Sequence, residues 1–281
     1  MNLLKTLVNP VISMELRLRM RSKKTPWIIS LYLIALGVIV FLYILLEANN
    51  RGYFNPNSSR DMFIILSFIQ FALISLVTPG LTAGVISSER EKQTLNILLT
   101  TGLTPAKIIL GKWLSSLSFM LLVIFSTMPV YSIVFLYGGI SPRELMAVFG
   151  LYLIGMLAIG SFGVLFSTLF KRTGVATVVT YTTIIVYTAI TAFLPGIISS
   201  FYYMYNQGTA RVTVPNWPDY FYSINPITAM LNIFEQNITN IRNMPIDPYW
   251  VFIIFFSVIT ILALLSAIYF IKPVRKLRSK K

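Results

Sequence analysis

Gly111-Lys112 and the carboxylates of Glu89 and Glu91 are the groups whose types and spacing first suggest chemistry, either phosphate binding or acid–base catalysis. A phosphate loop follows the pattern G-x-x-x-x-G-K-[ST], because its glycine amides cradle the phosphates and the hydroxyl reaches the magnesium ion. Here Ala106 stands at the first glycine position and Trp113 at the hydroxyl position. The sequence has no cysteine and no histidine, which removes thiolate nucleophiles, disulfides, zinc clusters and imidazole relays together. Its nine acidic residues all fall in loops or at the ends of apolar runs. No catalytic residue, no metal site and no cofactor in this chain are therefore expected.

What remains is a charged stretch, 88–112, SEREKQTLNILLTTGLTPAKIILGK, set between two long apolar runs. Ser88 and Glu91 have the spacing of a capping box, and Glu89 and Glu91 put negative charge where a helix dipole favours it. Leu95, Leu98 and Leu99 fall on one helical face, Gly102 suits the position that ends such a helix, and Thr104-Pro105 reads as a cap and first residue of the next. Two readings fit this pattern alone: a short helix lying on the membrane surface, or a docking element.

The elements that must position this stretch are membrane spans. Hydrophobic residues make up 56% of the 281-residue chain and charged residues only 11%, whereas an average soluble domain has about a quarter charged. Six neutral runs are long enough to cross ~30 Å of hydrocarbon as helices, at about 27–46, 62–86, 108–137, 144–170, 174–198 and 249–271. The expected fold is an all-α polytopic membrane protein, one transmembrane domain over 1–281. Charge sets its orientation. With the N-terminus inside, eighteen basic and three acidic residues give the inner segments +15, and five basic against six acidic give the outer segments −1. That asymmetry puts both termini in the cytoplasm and explains the net +14 without nucleic acid.

Residues 1–26 read as a basic interfacial elbow helix and 272–281 as a basic anchor. Pro79-Gly80 and Gly84 should loosen the second span near its inner end, and Pro129 should kink the third. Gly138-Gly139 reads as a turn, and Ser141-Pro142 with Glu144 as a capped helix start. Gly155, Ala158, Gly160, Ser161, Gly163 and Ser167 give the fourth span a small face for close packing. Thr177, Thr180, Thr183, Tyr187, Thr188 and Thr191 share one half of the fifth, either as a packed face or as the polar wall of a substrate path. The outer segment, 199–248, is aromatic-rich and holds a capped short helix after Asn225-Pro226.

Carriers driven by protons or sodium keep ionisable groups within their spans; here none lies deeper than Glu47 at a span end. Energy for transport would have to come from another chain. The elbow, the run ISSEREKQTLNILLTTGLTPAKIILGK, the SFGVLFSTLFKRTGVAT stretch and SINPITAML together resemble permease subunits of type-2 ABC transporters, the ATP-binding-cassette exporter class. The resemblance implies a six-span subunit of a bacterial cell membrane, paired with a second permease copy or paralogue and with two ATPase subunits that bind ATP and Mg. It implies a coupling helix at 88–104, with Glu89, Glu91, Thr94, Leu95, Leu98 and Leu99 meeting the ATPase and Gly102 and Pro105 setting the angle of entry to the third span. It also implies re-entrant outer helices, and a substrate path whose wall would include Thr177, Thr180, Thr183, Tyr187 and Thr191. The cargo would be a peptide, an antibiotic, a lipid-like compound or an ion. A motor-independent channel or scaffold is the alternative.

Overall fold

The computed structural model describes residues 24–51, 56–95, 98, 103–136, 138–205, 217–234 and 246–271, and among these all regular secondary structure is helical. The elbow expected over 1–26, apart from its last residues, lies outside the described residues, as do Leu99, Gly102 and the basic tail. In chain order the helices are α1 (Lys24–Arg51), α2 (Pro56–Thr82), α3 (Ser87–Glu91), α4 (Pro105–Ser126), α5 (Met128–Leu136), α6 (Pro142–Leu169), α7 (Thr173–Tyr205), α8 (Trp217–Ser223), α9 (Pro226–Ile233) and α10 (Pro248–Phe270). Six segments are long and apolar enough to span a bilayer, with α4 and α5 together forming the third.

Local chemistry starts these helices where the sequence says it should. The Thr104 hydroxyl accepts from the Lys107 amide ahead of Pro105, and Ser141 and Glu144 form a complete capping box. Asn225 Oδ1 accepts from the Ile227 amide at 2.8 Å, and Gly138 and Gly139 turn the chain at φ +86° and +84°. The two expected kinks shift off their prolines. α2 runs through Pro79 as far as Thr82, and the break comes at 83–86, around Gly84. The third span breaks at Thr127, two residues before Pro129, which enters the new helix near its first turn, where a missing N–H costs least.

α6 is the hub. It packs against α2, α4, α7, α9 and α10. In its most apolar stretch 67% of the residues are buried, against 11% in α1 and in α7. Its glycines make this possible: a Cβ at Gly155 would lie 3.0 Å from the Phe71 ring, at Gly160 2.7 Å from Leu117, and at Gly163 2.0 Å from the Thr82 hydroxyl. Without hydrophobic drive between helices in lipid, such close backbone approach gives the dispersion contact that holds a bundle together. Buried polar groups pair across it. Tyr152 donates to the Ser67 carbonyl at 3.0 Å and shares a 3.0 Å hydrogen bond with Tyr131, while Tyr32 ties α1 to Gln70 of α2.

The short helices between α7 and α10 are folded onto this core. Ala229 and Met230 of α9 are fully buried, Phe234 packs edge-on against Phe63, and Arg60 bridges the Phe234 carbonyl at 2.8 Å and Glu144 at 3.2 Å. The helix after Asn225-Pro226 ends at Ile233, and residues 235–245 lie outside those described.

Candidate functional site

The apolar segment that contains α2 runs from Ser58 to Glu91, 34 residues, or ~50 Å as a helix at 1.5 Å per residue. Hydrocarbon takes only ~30 Å of that, so α3, at its charged end, projects beyond the span. Four residues of turn separate α3 from α2, yet the Ser88 amide still bonds the Gly84 carbonyl at 3.0 Å in the helical pattern. The amide that a capping box would need is thus already taken. Ser88 and Glu91 form no box: α3 begins at Ser87, no side chain caps it, and the Glu91 carboxylate is engaged elsewhere.

The single helix expected between Ser88 and Gly102 is also interrupted. Gln93 adopts φ +59°, the left-handed region, and the Gln93 and Thr94 amides reach back to the Arg90 and Glu89 carbonyls at 3.1 and 2.9 Å. This pair of bonds is a Schellman closure with glutamine in the glycine position. Thr94 then opens a second helical stretch, its carbonyl accepting from the Leu98 amide at 3.0 Å.

Glu89, Arg90 and Glu91 each have a partner distant in sequence. Glu89 accepts from Lys112 of α4 at 2.9 Å and from the Thr94 hydroxyl. The lysine side chain is only 9% exposed, so the ion pair is shielded on its basic side. Arg90 donates to the Thr168 and Phe170 carbonyls at 3.0 and 3.2 Å, which are terminal acceptors of α6. Glu91 accepts from the Thr173 amide at 2.8 Å and its hydroxyl at 2.9 Å, at the first residue of α7. In return, the Ser167 hydroxyl of α6 accepts the Ile86 and Ser87 amides at 2.8 and 2.9 Å, the donors left over by the break after α2. The Thr173 bonds hold the Glu91 carboxyl below its ordinary value. Burial works to raise that of Glu89, but the Thr94 and Lys112 hydrogen bonds outweigh it and the net direction is down.

The residues expected to couple are thus spread over different roles. Glu89, Glu91 and Thr94 tie the segment to itself and to the bundle, and Pro105 opens α4. Leu95 is 9% exposed and belongs to the bundle's own core, and Leu98 packs partly buried against it. Among the described residues of the segment, Glu91, Lys92 and Gln93 are the exposed ones. In the sequence Lys112 stands only as part of an incomplete phosphate loop and Ser167 as a small packing residue, while Arg90 and Thr173 have no role of their own; the adjacency of opposite charges in Arg90-Glu91 is the one local signal of the Arg90 contact.

The threonines of α7 bond mainly to their own helix. Thr177, Thr180, Thr183 and Thr191 donate to the carbonyls four residues back, at 2.7 to 2.9 Å. Tyr187 and Thr191 also hold the turn between α8 and α9: Tyr187 donates to the Ile224 carbonyl at 2.7 Å, and Asn225 Nδ2 donates to the Thr191 hydroxyl at 2.8 Å. Thr183 and Tyr187, with Ser75 and Thr188, place hydroxyl-bearing side chains on a cavity of about 80 Å³ between α2, α6, α7 and α10. Its remaining lining is apolar, including Phe71, Ile159, Phe252 and Phe256, and carries no ionisable carboxylate or amine.

The sequence model of the ABC-2 family transporter protein matches residues 46–271, most of the chain and all of the bundle from the end of α1. The chain belongs to the ABC-2 transporter family. It is a multi-pass membrane permease of an ABC transporter, the transport subunit and not the ATPase. No curated protein matches it. As an ABC-2 permease it has six spans and a charged segment between the second and the third.

Proposed function

We propose that this permease is the membrane subunit of an ATP-driven exporter, docked to separate ATPase subunits at the inner face through the segment 87–98 and paired with a second permease copy or paralogue. The carrying observation is the form of that segment. It is a charged turn of helix projecting past the second span, closed by Gln93, pinned to the start of the third span through Glu89 and Lys112, and presenting Lys92 and Gln93 outward. A loop with no mechanical duty would not need an ion pair on a lysine withdrawn from solvent, which costs desolvation.

The two permeases would enclose the path, for which the sparsely buried α7 supplies apolar surface. An apolar cavity with hydroxyls and no charge supports a lipid-like or otherwise apolar cargo over an ion, which would need carbonyl or carboxylate rings. ATP and Mg belong to the partner chain. The test is co-purification from membranes with an ATPase co-expressed from the adjoining reading frame. Lys92→Glu with Gln93→Glu, both outward-facing, should reduce recovered ATPase at least tenfold while the permease stays folded. Full recovery would return the segment to a surface helix and put the ATPase contact elsewhere on the permease.

A further inference from the structure

Arg90 and Glu91 are adjacent in sequence and opposite in charge, and they go to helix ends of opposite polarity. The C-terminal end of α6 carries unsatisfied carbonyls and partial negative charge, and receives the Arg90 guanidinium. The N-terminal end of α7 carries unsatisfied amides and partial positive charge, and receives the Glu91 carboxylate. Between them lies only the short Lys171-Arg172 link, whose two residues are exposed. Ser87 adds a 3.2 Å bond to the Thr173 hydroxyl, and Ser167 returns the favour to the α3 amides, so α3 and the α6–α7 junction cap each other.

α7 is also built to be moved from that end. It is little buried along its length and is fastened at separate points: Glu91 and the Tyr181 bond to the Leu76 carbonyl on the inner half, and Tyr187, Thr188 and Thr191 against Ile224 and Asn225 further out. Displacement of its first turn, with the turn between α8 and α9 as pivot, tilts the helix across the face of the cavity that Thr183 and Tyr187 line.

We infer that Arg90 and Glu91 are positioning residues that carry motion of the segment into the fifth span, in parallel with the Glu89–Lys112 link into the third. This rests on the docking of an ATPase at 87–98, and adds which span is driven and by which bonds.

The absence of cysteine allows a clean test. In the complex with its ATPase, nitroxide labels at Val178 and Leu265, exposed positions on α7 and α10, report the fifth span, and labels at Leu114 and Leu265 report the third. ATP with vanadate should change both distances in the otherwise unaltered chain. Glu91→Ala should retain the ATPase and the Leu114 change, and lose at least half of the Val178 change. Glu91→Gln, whose amide can still accept from the Thr173 amide and donate to its hydroxyl, should restore it. Thr173→Pro removes the same donors from the other side while keeping a residue favoured at the first helical position, and should repeat the loss. An undiminished Val178 change in Glu91→Ala or Thr173→Pro would overturn the inference, as would loss of the ATPase in Glu91→Ala, since that carboxylate would then serve docking itself. If the unaltered chain recruits no ATPase, the docking reading falls first and takes this inference with it.

Discussion

Replacing Gly163 by alanine should destabilise the permease, although the same exchange favours an isolated helix by about 1 kcal/mol. A Cβ built at Gly163 would lie 2.0 Å from the Thr82 hydroxyl, 2.9 Å from Thr82 Cβ and 3.2 Å from the Ala83 backbone nitrogen. Turning the hydroxyl away would break its 2.8 Å bond to the Thr78 carbonyl, worth about 0.5–1.5 kcal/mol, and would leave the other two contacts in place. Separating the helices instead invokes the overpacking penalty of about 1–3 kcal/mol. The net expectation is a loss of roughly 1–2 kcal/mol, because helix propensity offsets only part of these costs. Equilibrium unfolding in mixed detergent micelles measures it. Gly174→Ala, where nothing lies within 4 Å, is the control and should be neutral or slightly stabilising. Thr82→Ala should recover part of the loss in a double-mutant cycle. Full stability of Gly163→Ala would refute the reading of the α6 small face as the place where the second and fourth spans meet.

Two further outcomes follow from the segment itself. Gln93→Gly relieves a left-handed residue, a cost of about 1–2 kcal/mol, against an entropic loss of about 0.5–1 kcal/mol, so α3 should gain amide-exchange protection; lower protection would contradict the Schellman closure. The carboxyls of Glu89 and Glu91 sit below their ordinary value of 4.5 in the folded chain, so their contribution to stability is present above that pH and lost as pH falls through their folded values. Unfolding midpoints of wild type and of Glu89→Gln/Glu91→Gln should therefore differ at pH 7 and converge at acid pH; a gap that widens on acidification would contradict the assignment.

The spans and most helix starts were legible because membrane insertion imposes length and apolarity within one segment, and caps such as Ser141-Glu144 and Asn225 act within a few residues. The charged segment was legible as an object and misread in detail. Glu91 had two claimants, the amide three residues back and the α7 terminus 82 residues on, and only the fold brings the second into reach. Gln93 gave no warning, since glutamine carries no preference for positive φ. The leucines looked like an outward docking face because periodicity marks an apolar side without saying what covers it, and the bundle itself covers Leu95. Likewise the threonines share a face of α7, but back-bonding satisfies their hydroxyls and leaves Thr183 and Tyr187 on the cavity.

Docking of the ATPase at the segment can be read most directly by placing a photo-activated cross-linking residue at Lys92, with Arg143 as an exposed control beside the cap of α6. In membranes containing the ATPase, the account predicts a covalent permease–ATPase product from position 92 and none from position 143. A product from 143 in equal yield, or none from 92 with the ATPase present and active, would contradict it.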